Sequence, residues 1–225
     1  MDKVINIAID GPAGAGKSTI AKKLAEKLGY IYIDTGALYR AVALFRIENK
    51  LDDVKELINK LPECKIELGF ENNVQQVYLN NKNVSSEIRQ NHVSMKASET
   101  SAIPEVRQFL FDLQKKTASE NNVIMDGRDI GTVVLPDADV KIYLTASPKE
   151  RALRRYRELQ GKPDCPTFEK LLEEIIQRDK NDMNRPVAPL KKAFDAIEID
   201  STNISLDETI EKIYQIILDK TKKRG

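Results

Sequence analysis

The sequence is poor in several residues that would point to particular classes of protein. Among its 225 residues are two cysteines, one histidine and no tryptophan. Cys64 and Cys165 are too few and too far apart for a disulfide framework or a zinc site, so a reducing cytoplasm is the expected compartment. No apolar run approaches the roughly 18 residues that a membrane span needs. The first strand pattern begins almost at the N-terminus, so no signal peptide is expected.

The chain also lacks a net charge of either sign. Its 36 basic and 35 acidic residues give a formal charge of +1. Such a balance provides no general field for nucleic acid or for a membrane surface, and neither is expected as a partner. Hydrophobic residues make up 41% of the sequence, which suits a globular protein with one sizeable domain and an insertion. A monomer is expected.

A glycine-rich segment near the N-terminus carries the strongest signal. Residues 11–18 read GPAGAGKS and match the pattern G-x-x-x-x-G-K-[ST], between an apolar run at 4–9 and a helical pattern at 18–28. Strand, glycine loop and helix together predict a loop whose backbone N–H groups bind a triphosphate, with Lys17 on the β- and γ-phosphates and Ser18 on Mg²⁺. The residues predicted to bind the ATP phosphates are Gly11, Pro12, Ala13, Gly14, Ala15, Gly16, Lys17, Ser18 and Thr19.

Apolar runs alternate with helical patterns along most of the chain. This alternation predicts an α/β fold of the P-loop NTPase type, with a parallel five-stranded sheet flanked by helices. The predicted strands are 4–9, 31–33, 123–125, 140–144 and 196–199, and the predicted helices are 18–28, 36–49, 87–118, 148–160, 167–182 and 205–222.

One segment departs from this alternation. Residues 65–70 and 74–79 each alternate apolar with polar side chains, Glu71-Asn72-Asn73 joins them, and a further turn leads towards Val84. This pattern predicts a small antiparallel β insert at 63–84, within a core formed by 1–62 and 85–225. Arginines on both sides favour the interpretation that the insert is a flap over a second, monophosphate substrate.

Charged residues near strand ends and on one helix are the other chemical signal. Asp126 ends an apolar strand and is predicted to hold Mg²⁺ through water, together with Ser18. The helix after 148 is crowded with arginines, and with the segment Gly161-Lys162-Pro163-Asp164 as a hinge it suggests a short lid at 151–166. Arg154 and Arg155 of this lid are predicted to contact the ATP phosphates, because the planar arginine fork binds phosphate oxygens in pairs.

The sequence resembles the bacterial cytidylate kinases, which belong to the nucleoside monophosphate kinases. The resemblance covers nearly the whole chain. It rests on residues 10–19, on DTGALYR at 34–40, on DGRDIGTVV at 126–134, and on RDKND at 178–182 running into NRPVAPL at 184–190. The first motif is shared by many nucleotide enzymes, whereas the other three together are specific. A strand-rich insert in the monophosphate-binding region is another feature of that family.

The resemblance implies roles for individual residues. Ser98, Arg107 and Asp129 would line the cytosine, whereas Thr35, Arg178 and Asp182 would lie near the sugar, with threonine standing where many relatives have serine. Arg40, Arg128 and Arg185 would meet the monophosphate. The residues expected to stabilise charge on the transferring phosphoryl group are Lys17, Arg128, Arg178 and Arg185.

The expected reaction moves the γ-phosphoryl group of ATP to CMP or dCMP. A carboxylate at Asp129 accepts a hydrogen bond from the cytosine amino group but would face an oxygen in uracil, so UMP is expected to be a poorer substrate. Another P-loop kinase acting on UMP, AMP or shikimate is the main alternative, and a non-catalytic nucleotide-binding module is a further one. A regulatory GTPase would need an Asn-Lys-x-Asp motif after a strand, and the nearest match, at 179–182, lacks the leading asparagine.

Overall fold

A parallel sheet of five strands forms the centre of the molecule. The computed structural model describes residues 4–71, 74–161 and 165–222. The sheet has the order β2-β6-β1-β7-β8. Its strands are β1 (Asn6–Asp10), β2 (Ile31–Asp34), β6 (Val123–Gly127), β7 (Val140–Thr145) and β8 (Ile197–Asp200). All neighbouring pairs are parallel, which confirms the predicted α/β fold of the P-loop type.

Helices cover both faces of this sheet because its strands are apolar on both sides. Ile7, Ile9, Ile124 and Ile142 are almost fully buried in one cluster with helices from either end of the chain. The helices are α1 (Lys17–Leu28), α2 (Thr35–Glu48), α3 (Val54–Lys60), α4 (Asn91–Thr100), α5 (Pro104–Glu120), α6 (Pro148–Leu159), α7 (Phe168–Asn184) and α8 (Leu206–Lys222). None of the described helices is both long and apolar enough to cross a bilayer.

The predicted single helix over 87–118 is wrong. The segment contains a 3₁₀ turn at Glu87–Arg89, then α4, and then α5, which begins at Pro104. Proline has no N–H to continue an earlier helix and fits the first position of a new one, so α4 ends before it. The break has a consequence for the site, because the guanidinium of Arg107 donates to the carbonyl of Ser101 at 3.2 Å, across the junction of the two helices.

The predicted insert forms a separate three-stranded antiparallel sheet. Its strands are β3 (Ile66–Glu71), β4 (Val74–Leu79) and β5 (Lys82–Asn83), in that order. Val77, Leu79 and Val84 pack into an apolar cluster with the inner face of α2, so the insert is anchored on the helix that follows β2. Asn72 and Asn73 of the predicted turn, residues 162–164 of the predicted hinge and residues 223–225 lie outside the described residues.

Candidate active site

The glycine-rich loop lies between the end of β1 and the start of α1. Gly11 and Gly16 have φ angles of 150° and 88°, which favour glycine. A side chain at Gly11 would also collide with the carbonyl oxygen of Leu144 on β7. Gly16 caps α1, so the loop presents the free N–H groups and the positive end of that helix to the space above the sheet. Such a loop is suited to a polyanion.

Lys17 is the first residue of α1 and is 6% exposed. Its ammonium donates to the carbonyl of Pro12 at 2.8 Å, which directs it along the loop. Burial lowers the pKa of Lys17, and the neighbouring Arg128 lowers it further, against the opposing charges of Asp126 and Asp10. An anion bound in the loop would therefore stabilise the charged form of Lys17.

Asp126 lies at the carboxyl-terminal end of β6, directly beside the loop. One carboxylate oxygen accepts from the Ser18 hydroxyl at 3.0 Å and the other accepts from the Tyr32 hydroxyl at 2.8 Å. Burial and the charge of Asp34 raise the pKa of Asp126. A nearby cation would favour its ionised form. The hydroxyl and the carboxylate are the hard oxygen donors that Mg²⁺ prefers, so this pair of side chains fits a divalent ion.

Asp129 is held between two arginines that come from distant parts of the chain. One of its oxygens accepts from Arg107 on α5, and the other accepts from Arg185, just after α7, at 3.1 Å. Asp129 and Arg107 are buried, and the guanidinium of Arg107 lies 5.3 Å from the ring centroid of Tyr39. These residues together offer a carboxylate that accepts hydrogen bonds, two guanidinium groups that donate them, and the face of an aromatic ring. Such groups can bind a nucleobase, whose edge carries both donors and acceptors.

A second group surrounds Asp182 on α7. Arg128 donates to its carboxylate at 2.8 Å. Burial alone would raise the pKa of Asp182, but the charges of Arg128, Arg178 and Arg185 outweigh that effect and lower it. Burial, followed by the charge of Arg128, lowers the pKa of Arg178. The arginines therefore repel one another in the absence of a bound anion.

Arg40 completes the cationic lining. Its guanidinium, carried by α2, donates to Asp34 at 2.7 Å. Its Nε is buried and has no hydrogen-bond partner among the described residues. Because an unpaired buried donor is costly, this N–H is available for an incoming acceptor.

Two cavities meet at the glycine-rich loop. The acceptor cavity, of about 400 Å³, is lined by all nine residues that were predicted to bind the monophosphate substrate. These are Thr35, Arg40, Ser98, Arg107, Arg128, Asp129, Arg178, Asp182 and Arg185. The donor cavity, of about 530 Å³, lies between the loop, α6 and the segment after β8. Gly14, Lys17 and Ser18 line both cavities, so ligands in the two would touch at these residues.

The arginines of α6 differ in what they contact. Arg154 lines the donor cavity and donates to the Ser201 carbonyl at 2.7 Å. Arg155 lines the acceptor cavity, so the two residues predicted together to contact ATP lie on different sides of the loop. Arg151, which was assigned to the lid, is 2% exposed and donates to the Ala13 carbonyl at 3.0 Å and to Asp179 at 3.1 and 2.6 Å.

The sequence model of the family described as Cytidylate kinase matches residues 7–219. The chain belongs to the cytidylate kinase family. The cytidylate kinase of Caldicellulosiruptor saccharolyticus is 51% identical over 216 residues, which cover 95% of this chain and 96% of that one. The cytidylate kinase of Lactobacillus johnsonii is 46% identical over 224 residues, which cover 99% and 97%.

A solved structure of an uncharacterized protein from Eubacterium ventriosum is similar in fold alone. It is 17% identical, has a TM-score of 0.52, and the match covers 96% of this chain and 98% of that one.

Several residues around the cytidylate kinase site were missed in the sequence. Tyr32 lies in the predicted strand 31–33 and is buried in the core, and its hydroxyl also donates to Asp126. Ser201 follows β8 and lines the donor cavity, where its position after a strand end was an available signal. The Thr35 hydroxyl, expected near the sugar, donates to the Asp126 carbonyl at 2.8 Å and would have to share that contact. Gly11 lies against the carbonyl of Leu144, and the carbonyl of Pro12 accepts from the Lys17 ammonium. Both residues thus help to hold the loop in its conformation.

Proposed function

We propose that this chain transfers the γ-phosphoryl group of ATP to CMP or dCMP, giving ADP and CDP or dCDP. The observation that carries the proposal is the meeting of two cavities at Lys17 and Ser18, one of them lined by arginines and Asp129. Membership of the cytidylate kinase family supports the same reaction, and so do relatives that are about 50% identical over nearly the full chain. ATP occupies the donor cavity and the monophosphate occupies the acceptor cavity.

Transfer itself needs little covalent chemistry. An oxygen of the CMP phosphate attacks the γ-phosphorus in line, the new O–P bond forms, and the bond to the bridging oxygen of ADP breaks. No general base is required, because that phosphate oxygen is already largely ionised near neutral pH. Lys17, Arg128, Arg178 and Arg185 stabilise the charge on the transferring group. Ser18 and Asp126 would hold Mg²⁺, which would supply positive charge to the bound triphosphate.

Asp129 decides the choice of base in this proposal. Its carboxylate accepts from the cytosine amino group while Arg107 and Ser98 donate to the ring acceptors. With uracil, the carboxylate would face an oxygen that has no hydrogen to donate, so an attractive contact is replaced by a repulsive one in a buried site. Arg107 and Arg185 already bind both oxygens of Asp129 in the absence of a ligand, so the base joins an existing network.

The insert, the lid and the cellular compartment complete the proposal. The β insert at 63–84 acts as a flap over the monophosphate, and the segment 151–166 acts as a lid that excludes water. Cys64 and Cys165 are free thiols, and a reducing cytoplasm suits them. The enzyme works there as a monomer on small nucleotides.

The test is a coupled assay that crosses ATP and GTP with CMP, dCMP, UMP, AMP and shikimate. We expect ADP release with CMP or dCMP at a higher kcat/KM than with UMP, and little with AMP or shikimate. The matched control is Lys17→Ala, which should lose about 100-fold or more in kcat while its circular dichroism spectrum stays unchanged. Equal kcat/KM for UMP and CMP would contradict the base assignment, and wild-type turnover in Lys17→Ala would contradict the whole proposal.

A further inference from the structure

Gln75 of the β insert binds the edge of the main sheet. β2 is an edge strand, and the backbone of its last residue, Asp34, faces the insert. The side-chain carbonyl of Gln75 accepts from the Asp34 N–H at 2.7 Å, and its amide donates to the Asp34 carbonyl at 3.3 Å. One side chain thus does what the next strand of a sheet would do, and satisfies both backbone groups.

Asp34 in turn controls Arg40. It is the N-cap of α2, where its carboxylate accepts from the Ala37 N–H at 3.0 Å and from the Arg40 guanidinium at 2.7 Å. A β-carbon at Gly36 would lie 3.1 Å from both the guanidinium and the carboxylate. The pair is therefore tightly fitted, and a shift of the Asp34 backbone would move Arg40 with it.

On the side of the insert that faces α1, apolar packing does not substitute for the hydrogen bonds between Gln75 and Asp34. A cavity of about 350 Å³ separates α1 from the insert, and Gln75, Asp34, Tyr32 and Lys22 are among its lining residues. Val77 and Leu79 attach the insert to α2 by apolar contact, which is strong but not directional. The two hydrogen bonds of Gln75, which is 9% exposed, supply the direction.

We propose that Gln75 is a positioning residue for the monophosphate. It fixes the backbone of Asp34 and, through the Asp34 carboxylate, the guanidinium of Arg40, so the insert and this arginine move as one unit. The proposal rests on the role of Arg40 as a phosphate ligand in the proposed function. It gives the insert a part in substrate binding that does not require any of its own side chains to touch the substrate.

The chain offers a matched control in Gln76. This glutamine is the next residue of β4, faces the other side of the sheet, and accepts from the Asn83 side chain at 3.1 Å inside the insert. We compare Gln75→Ala with Gln76→Ala, and add Gln75→Met, which keeps the side-chain length and serves as the test if the alanine variant does not fold. KM is measured for CMP and for ATP, the Kd of CMP is measured by calorimetry without ATP, and Tm is recorded.

We expect both Gln75 variants to raise KM and Kd for CMP by about tenfold, the size of one or two lost hydrogen bonds, with KM for ATP changed by less than about twofold. Gln76→Ala should leave all of these values at the wild-type level. Equal increases for CMP and ATP together with a lower Tm, or no change for CMP, would overturn the proposal, because a merely structural role would not separate the two substrates.

A double variant tests the route through Arg40. Arg40→Gln alone should weaken CMP binding, and adding Gln75→Met to it should change Kd by less than about twofold, since the contact it would disturb is already gone. Effects that multiply would show that Gln75 does not act through Arg40. If Arg40→Gln binds CMP like the wild type, the role of Arg40 in the proposed function is wrong, and the positioning proposal falls with it, whereas CMP phosphorylation itself would still stand.

Discussion

Tyr32 shows how a residue with an ordinary role in the sequence acquires a specific one in the folded protein. It belongs to the apolar run of β2, yet its hydroxyl and that of Ser18 hold the two oxygens of Asp126. Tyr32 and Asp126 are 94 positions apart. A local pattern could predict that Asp126 ends a strand, but could not predict which side chains of other segments orient it.

Removing the Tyr32 hydroxyl should therefore weaken Mg²⁺ binding at the site proposed for Ser18 and Asp126. Outer-shell partners of metal ligands typically change metal affinity by 10- to 100-fold. We expect Tyr32→Phe to raise the Mg²⁺ concentration needed for half-maximal rate by about tenfold, in a titration at saturating ATP and CMP. Tyr30→Phe, two residues earlier, is the control. An unchanged Mg²⁺ requirement in Tyr32→Phe would show that Asp126 is oriented without it.

Asp10 provides a pH-dependent contribution to stability. Burial raises its pKa from 3.8 to about 6, although it accepts from the N–H groups of Ile130 and Gly131. Because the folded pKa lies above the unfolded one, the folded chain retains the proton over that interval, and the contribution of Asp10 to stability falls as the pH rises through it.

The side chain of Asp10→Asn stays neutral at every pH in this range. Urea unfolding without ligands should show the free energy of unfolding of the wild type falling, relative to this variant, by about 2 kcal/mol between pH 4 and pH 7. The loss of one backbone contact in the variant adds an offset that does not depend on pH. A difference that stays constant across the series would contradict the raised pKa.

At the scale of helices and strands, the parts that were predicted are those whose signal is local. All five strands of the main sheet were found within about two residues, since each is a short apolar run next to a turn. Helix α3 was missed, although Asp53 caps it by accepting from Lys55 and Glu56. The break at Pro104 was also missed, because apolar periodicity continues across it.

The candidate site divides in the same way. The resemblance to the cytidylate kinases implied the roles of its arginines and carboxylates, most of which sit in the motifs on which that resemblance rests. Gln75 was not predicted, because its partner Asp34 lies 41 positions earlier and no pattern in either segment links them. The burial of Arg151 was missed for a related reason, since its partner Asp179 lies on the following helix, 28 positions away.

The helical pair α6 and α7 is joined to the glycine-rich loop by Arg151. Removing one member of a buried ion pair leaves the other charge uncompensated and typically costs about 3–5 kcal/mol. We expect Arg151→Met to lower the free energy of unfolding by about 3 kcal/mol, measured in urea. The combined Arg151→Met and Asp179→Leu variant should recover part of that loss.

Arg155 on the same helix gives the matched comparison. It pairs with Glu158 at 3.2 Å, and both side chains are more than half exposed. Arg155→Met should therefore change stability by less than about 1 kcal/mol. Equal losses for the two arginine variants would contradict the larger contribution of the buried pair to stability.

For the molecule as a whole, the relation between the two cavities determines how ligands bind. Because the donor and acceptor cavities share Gly14, Lys17 and Ser18, adenosine and cytidine joined through a polyphosphate chain should occupy both at once. Linking two ligands that fit adjacent sites raises affinity above that of either part. We expect such a compound to inhibit competitively against both ATP and CMP in steady-state assays. Competition against one substrate alone would show that the cavities do not form a continuous site.

The charge of the acceptor cavity differs from that of the chain. Its lining includes seven cationic side chains and four carboxylates, whereas the complete sequence carries a formal charge of +1. The protein as a whole therefore carries little net charge, but the opening of the acceptor cavity has a positive potential. This potential attracts a doubly charged phosphate ester from a distance. Dissolved salt screens this attraction at separations beyond about 10 Å. Ionic strength should therefore change the association rate of the nucleotide more than the rate of phosphoryl transfer in the bound complex.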